Sequence, residues 1–329
     1  MGEKVLVTGA SGFVGKHLIK TLLETEAVVT AIYHTKPLQD VTSESGGRIT
    51  CVQADVTVDN LSKYMPGART VYHLAGIFSP GSSDSTLQEL CKVNVAGTVN
   101  VAHAAAASGV ERFILVSSVA ACEASDERLI TEEKGAPVTS YGISKLRSEG
   151  ALKKIAAGKM NYIILRPTAL FGEDHLGSIY ELARAIKRGR FILIGNGRNY
   201  VNFQYVQDFT DVLATVGSRA GIENEVYIAG DTPITLLQLV HCIRRELQLP
   251  LATFHIPKGL GLSLGFAFDL LAKVTHRPMP LSASRVRAMT RDVCYSSAKL
   301  RKQLPNDFRY GVRAGLARTL GWYESTGLL

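Results

Sequence analysis

The 329-residue chain is 46% apolar and 20% charged, with a formal charge of +8. Those values exclude a disordered or fibrous chain and leave room for one large or two smaller domains. Lys and Arg are spread along the chain, with a local concentration only near residues 273–301. That reads as a surface attracting an anionic cofactor, with no nucleic acid partner expected. Five cysteines (Cys51, Cys91, Cys122, Cys242, Cys294) are odd in number and far apart. They argue against a disulfide framework and a zinc site and suit a reducing compartment, and no metal is expected. No basic-then-apolar leader precedes Val5–Val7, so a cytoplasmic location is the expectation.

In chain order, "KVLVTGA" is a predicted strand and residues 13–24 a helix with Val14, Leu18, Ile19, Leu22 and Leu23 on one face. "AVVTAIYH", "RITCVQADV", "TVYHLAG" and "RFILVSS" are the next strands, with a helix over 86–108 before the last of them. A helix around 141–157 and the strand "NYIILRP" follow. Alternation of helices with nearly continuous apolar strands predicts an α/β fold, a doubly wound parallel sheet of the Rossmann kind. Beyond Phe171-Gly172 the pattern loosens into a helix over 178–189, strand-like "YVNFQYV" and "EVYIAG", and an amphipathic helix over 235–247. The expected division is a dinucleotide-binding domain over 1–171, with 201–231 returning to it, and a smaller C-terminal substrate lobe over 172–329.

Gly9, Gly12 and Gly15 follow a strand and open a helix, the setting that a dinucleotide motif requires, though spaced GxxGxxG rather than GxGxxG. Gly9 permits the tight turn, Gly12 lets a pyrophosphate approach the backbone, and Gly15 brings the helix close to the sheet. Ser11, Phe13 and Val14 share that turn and are taken as cofactor contacts, the helix N-terminus offering amides to phosphate. A strand–helix turn without a ligand is the plainer alternative. At the end of the second strand, Tyr33-His34-Thr35-Lys36 offers no carboxylate before Asp40 for a ribose 2′-hydroxyl. His34 and Lys36 suit a 2′-phosphate, so NADP is expected with NAD as the alternative; solvated loop residues are the bland reading. Asp55-Val56 is placed to meet the adenine amino group, or else caps the helix that follows.

"SYGISK" sets Tyr141 and Lys145 one helical turn apart on one face. A phenol acting near neutrality must titrate about three units below its free value, and a neighbouring ammonium and a positive oxidised nicotinamide both act in that direction. Ser117-Ser118 ends the fifth strand, where ligands of open α/β sheets sit, and a hydroxyl there can hold a carbonyl; a capping serine is the alternative.

Together with "TGASGFVG", "YHLAG", "VNVAGTVNV", "LRPTALFG", "FQYVQDFTDVL" and "GLARTLGWY" in order, these residues resemble the extended short-chain dehydrogenase/reductase, or NAD-dependent epimerase/dehydratase, family. The resemblance spans essentially the whole chain. It implies an NAD(P)-dependent oxidoreductase with Tyr141 as acid/base, Lys145 holding the nicotinamide ribose and lowering the phenol, and Ser118 polarising the substrate. It also implies Asn94 supporting the lysine through water, Ala75 and Gly76 lining the cofactor groove, and Pro167 and Thr168 flanking the nicotinamide.

Where dehydratases of the family carry Asp-Glu after the catalytic Ser/Thr, this chain has Val119 and Ala120. Ala169 and Asn202 stand where nucleotide-sugar enzymes of the family often grip their substrate; Arg184, Arg285 or Arg287 could substitute. The chain thus looks most like the 3-beta-hydroxysteroid dehydrogenase and dihydroflavonol-4-reductase-like branch. The expectation is alcohol/ketone interconversion on a largely apolar small molecule. A nucleotide-sugar epimerase is the alternative, and a non-catalytic NADP-binding sensor or scaffold the second. The apolar segment 259–274 is shorter than a spanning helix. It is expected as a core or pocket-wall helix, or else as an interfacial helix with Lys273, Arg277, Arg285 and Arg287 facing lipid in peripheral membrane contact. A homodimer through helices 86–108 and 141–157 is the family's common contact.

Overall fold

The computed structural model describes residues 2–38, 46–78, 86–122, 129–133, 136–252, 254–275, 279, 281–304 and 308–329; Asp40 and Arg277 lie outside them. Its first half alternates strands β1 (Lys4–Thr8), β2 (Val28–Tyr33), β3 (Ile49–Gln53), β4 (Thr70–His73) and β5 (Arg112–Val116) with helices α1 (Phe13–Glu24), α2 (Leu87–Leu90) and α3 (Ala96–Ala107). A short β6 (Leu129–Ile130), helix α4 (Ser140–Ala156) and strand β7 (Asn161–Pro167) come next. They are followed by β8 (Ala169–Phe171), α5 (Ser178–Lys187), β9 (Leu193–Ile194), β10 (Tyr200–Val201), β11 (Phe203–Tyr205), α6 (Val206–Ser218) and β12 (Glu225–Ala229). The chain continues through β13 (Ile234–Thr235), α7 (Leu236–Glu246), β14 (His255–Ile256) and α8 (Lys258–Thr275). It closes with α9 (Ala283–Met289), β15 (Cys294–Tyr295), α10 (Ala298–Gln303) and α11 (Gly311–Ser325).

Seven strands form one parallel sheet in the order β12-β7-β5-β4-β1-β2-β3. Successive side chains leave opposite faces, so both faces must be apolar. Val5 and Val7 pack with Leu18 and Ile19 of α1 and Phe209 and Leu213 of α6. Leu6, Phe113 and Leu115 face the other way, onto Val101 and Ala105 of α3 and Leu152 and Ala156 of α4. Because β1 sits between β2 and β4, the strand order reverses there, and a crevice opens beyond the carboxyl ends of β1 and β4.

The stretch read as one helix over 86–108 is interrupted. Thr86 and Glu89 cap α2 reciprocally, and Cys91–Val95 is a π-helical turn before α3 begins. "YVNFQYV" also splits, β10 pairing with β13 and β11 with β8 outside the main sheet, while "EVYIAG" supplies its edge strand β12. A second core forms around Ile179 and Ile186 of α5, Leu239 and Ile243 of α7, and Leu316 and Tyr323 of α11. Asn202 is a staple here: its Nδ2 donates to Val293 O and its Oδ1 accepts from Tyr295 N, tying β15 beside β11.

Behind the site helix lies a buried ion pair. Arg166 donates from Nε to Glu149 Oε1 at 2.9 Å and from a terminal nitrogen to Oε2 at 2.7 Å, with a third bond to Glu132 O. Ser117 Oγ donates to the same carboxylate at 2.5 Å. Removing one partner leaves the other charge buried, so Arg166→Leu should cost about 3–5 kcal/mol in urea unfolding. The double variant Glu149→Leu/Arg166→Leu should regain most of it. A single variant as stable as the parent would mean that the pair does not hold the helix.

Candidate active site

The turn after β1 is built for close approach. Gly9 has φ +68°, and a Cβ on it would stand 2.7 Å from Ala75 N; one on Gly15 would come within 2.2 Å of Gly9 O. Gly12 precedes α1 and no side chain caps that helix, which leaves its first amides to a ligand.

The crevice is one groove in two parts. A part of about 660 Å³ is lined by Gly9, Ser11, His34, Asp55, Val56 and Ala75, among others. A part of about 730 Å³ is lined by Phe13, Val14, Ser118, Tyr141, Lys145, Pro167 and Thr168, with Val119, Ala120 and Ala169 beside them. Gly76 and Ile77 belong to both parts. Of the cofactor and catalytic residues singled out from sequence, Gly12, Gly15, Lys36 and Asn94 line neither part, nor do Arg184, Asn202, Arg285 and Arg287 from the substrate-grip positions. Two of those glycines shape the turn, and Asn94 supports the floor. Lys36 is exposed beyond the groove.

Asn94 is buried on the π-helical turn, where it clamps Ile77: its Oδ1 accepts from Ile77 N at 2.8 Å and its Nδ2 donates to Ile77 O. A Cβ on Gly76 would meet Asn94 Oδ1 at 2.9 Å and Lys145 Nζ at 3.5 Å, so these two groups converge over that glycine. Beneath them His73 is buried between Thr8 Oγ1, 2.7 Å from Nδ1, and Thr98 Oγ1, 3.1 Å from Nε2. Thr98 spends its own proton on Asn94 O, so it accepts from His73 Nε2–H and Nδ1 accepts from Thr8. Burial holds this imidazole neutral, its pKa pushed down to about 3. Asp55 has no helix to cap, since residues 56–58 form a turn and the next helical turn, Ser62–Tyr64, starts after Leu61. It lines the groove, and its Oδ1 accepts from the Thr57 amide and hydroxyl, the hydroxyl bond chiefly lowering its pKa. His34 Nε2 lies 3.7 Å from its other oxygen.

Thr139 caps α4, which presents Tyr141 and then Lys145 to the groove. Lys145 Nζ donates to Val116 O at 2.9 Å and stands 6.0 Å from the Tyr141 ring centre. The ammonium's share of the expected lowering of the phenol does not appear. Burial pushes Tyr141 up to about 12, opposed by a hydrogen bond from Ser118, and pulls Lys145 down to about 8 despite Glu149. At that distance an ammonium already committed to Val116 O does not offset the lost hydration.

Three wall residues carried no sequence signal. Phe78 meets Tyr141 edge-on at 5.0 Å, His175 stacks on Phe13 at 4.4 Å, and Tyr295 arrives from the late strand β15. Each reaches the groove through tertiary folding rather than local spacing. Thr168 Oγ1, also on this wall, is buried without a hydrogen-bond partner among the described residues. An unmet hydroxyl, an uncapped helix start and a glycine-floored groove fit a dinucleotide.

Residues 5–230 match the NAD dependent epimerase/dehydratase family. The chain belongs to that family. An Escherichia coli O157:H7 protein, N-acetyl-alpha-D-glucosaminyl-diphospho-ditrans,octacis-undecaprenol 4-epimerase, is 30% identical over 327 residues, covering 97% of this chain and 95% of that one. An Arabidopsis thaliana 3beta-hydroxysteroid-dehydrogenase/decarboxylase (isoform 1) is 25% identical over 96% of this chain and 78% of its own. The solved structure of MoeE5 in complex with UDP-glucose and NAD superposes with a TM-score of 0.77 at 24% identity, over 98% of this chain and 99% of that one, and supports the fold.

Epimerase/dehydratase family membership makes this an enzyme fold, and its buried lysine carries a measurable cost. Lys145 titrates lower folded, near 8, than its ordinary 10.5, so the cost of the buried ammonium is whole below pH 8 and fades as pH rises to 10.5. Lys145→Met should therefore be more stable than the parent at pH 7, on the order of 1–2 kcal/mol, with the gap closing between those pH values. Thermal melts of both chains across pH 7–10.5 read it, and a less stable variant at pH 7 would overturn it.

Proposed function

We propose that this chain interconverts the C4 epimers of an amino sugar carried on a diphosphate, by oxidising and re-reducing one carbon. One observation carries the reading: the wall around Tyr141 offers a phenol, Ser118, Lys145 and His175, and no carboxylate among the described residues. Elimination needs an additional acid and base, whereas oxidation and return at one carbon need only the phenol. Val119 and Ala120 line the wall where an acid pair would stand. The 4-epimerase named above, matched almost end to end, favours an epimerase over a net dehydrogenase.

Tyr141 would accept the proton of the sugar hydroxyl while Ser118 holds the same oxygen. Lys145 would hold the nicotinamide ribose, beside the Asn94 clamp that fixes the Gly76–Ile77 floor. When bound, the nicotinamide supplies a reversible two-electron acceptor and a positive ring whose charge draws the phenol's pKa down. The keto sugar would then turn in the part of the groove beside Tyr141, and Tyr141 would return the proton to the same oxygen after reduction on the opposite face. We read residues 1–171 with 201–231 as the cofactor-holding part and 172–329 as mainly the substrate lobe.

We take NAD as the resident dinucleotide, because Lys36 lies off the groove and His34 alone would meet a 2′-phosphate. The two dinucleotides should then differ in affinity by less than about tenfold by calorimetry, an exposed charge being worth about 1 kcal/mol. A hundredfold preference for NADP would restore the reading from His34 and Lys36. A second reading, oxidation of an apolar alcohol, is favoured by Phe78, Val119, Ala120, Ala169 and Leu170 on the wall.

The NAD-loaded chain should convert N-acetylglucosamine on undecaprenyl diphosphate or on UDP to its C4 epimer, followed by NMR of the released sugar. Tyr141→Phe should lose about 10²–10⁴-fold in turnover while keeping its NAD affinity. Reduction of steroid ketones, with no epimer from either donor, would transfer the assignment to the second reading.

A further inference from the structure

Of the two expectations for segment 259–274, a core or pocket-wall helix and an interfacial one, the first does not hold: α8 is a surface helix with an open apolar face. Only Gly261 and Gly265 of α8 are buried. A Cβ on Gly265 would come within 2.7 Å of Ala283 N and one on Gly261 within 2.6 Å of Ile194, so these glycines let α8 lie close against α9 and β9. The opposite side shows Leu260, Leu264, Phe266, Leu270, Leu271 and Val274 to solvent, the last 71% exposed. Phe254, 70% exposed, and Leu251 lie just before the helix. Phe254 O accepts from Leu193 N, beside the exposed Ile192, so these residues adjoin the base of the helix. Exposed apolar side chains concentrated on one element mark a contact surface.

Charge identifies what covers it. Between residues 251 and 292 the described residues include Lys258, Lys273, Arg285, Arg287 and Arg291 against two carboxylates, Asp292, which accepts from Tyr200 N, and Asp269. Asp269 accepts from Ala283 N at the start of α9. Lys258 and Lys273 bracket the apolar face, and Arg287 lies over the Phe266 ring at 5.3 Å. A second copy of this face would bring like charges together at a self-complementary contact. An apolar layer beneath anionic headgroups satisfies both the leucines and the cations. No helix among the described residues is long and apolar enough to cross a membrane, so the helix would lie along the surface.

We propose that α8 is an interfacial helix that docks the enzyme on an anionic lipid bilayer. The face is coupled to the groove: α8 packs on α9, and the chain runs from α9 into β15, whose Tyr295 lines the wall around Tyr141. Docking would thus tether to the bilayer the lobe that supplies Tyr295 to the groove, as a lipid-anchored diphosphate sugar would require. The choice of that substrate rests on the proposed function; the docking does not.

Flotation of the full chain with phosphatidylcholine vesicles, with and without phosphatidylglycerol, tests it. The chain should float with the anionic vesicles, more weakly with the neutral ones, and release as salt is raised. Leu264→Glu/Leu270→Glu should lower partition at least about tenfold, and Lys273→Glu/Arg287→Glu by a similar factor on anionic vesicles only. NAD affinity should be unchanged in both, which reports that the variants are folded. No flotation at low salt, or equal flotation of the leucine variant, overturns the proposal. A parent that elutes as a dimer, with a monomeric leucine variant and no vesicle binding by either, also overturns it and assigns the face to a second copy. Because flotation needs no turnover, a chain that floats but epimerises nothing refutes the proposed function alone.

Discussion

Helix α4 brings Tyr141 and Lys145 to the groove, and its position is set from behind by the charge pair of Glu149 and Arg166. The pair spans three elements at once: Glu149 on α4, Arg166 on β7, and Ser117 just past β5, whose hydroxyl closes on the same carboxylate. Two ions withdrawn from water are tolerated only when their remaining valences are met, and here the guanidinium also reaches Glu132 O. The geometry is therefore narrow. A small rotation of α4 about its axis would cost bonds in a nearly dry setting, so the phenol and the ammonium arrive at the crevice with little freedom.

That rigidity frees the front of the site to be chemically unsettled. Lys145 is buried with its proton only loosely held, and Tyr141 holds its proton too tightly to act unaided. Both conditions come from dehydration, and both respond to a charge placed between them. Beneath, the neutral imidazole of His73 joins Thr8 to Thr98 and thereby ties the carboxyl end of β1 to the helix that carries Asn94. The floor is thus a set of uncharged hydrogen bonds, and the ionisable groups are confined to its rim.

The strands and the glycine turn were legible because their signals are local: apolar runs, tight turns and a four-residue spacing on one helix face. The π-helical turn at Cys91–Val95 was not, since nothing in the periodicity of 86–108 marks an extra residue; only the demand to aim Asn94 at Ile77 explains it. The ammonium's effect on Tyr141 was overrated because a motif reveals which charges are near but not how much water is lost. Lys36 suggested a phosphate grip by its place in sequence, yet the loop carries it off the groove. Segment 259–274 was correctly seen as helical and apolar, but hydropathy cannot say whether a partner covers it. Its two buried glycines decide that only one side is covered.

The shared lining at Gly76 and Ile77 has a consequence for how a long ligand is held. The two parts of the groove share only that short floor, so a dinucleotide bound along it would be in effect a bivalent ligand with its two nucleotides on separate anchors. Once one nucleotide was seated, the other would search a volume set by the pyrophosphate alone, at an effective concentration far above that of the free fragment. Each nucleotide alone would be held weakly, whereas the linked pair would dissociate only when both anchors release together. A cofactor retained in this way could be cycled without being exchanged, as the proposed epimerisation requires, since it returns its electrons to the molecule that lent them.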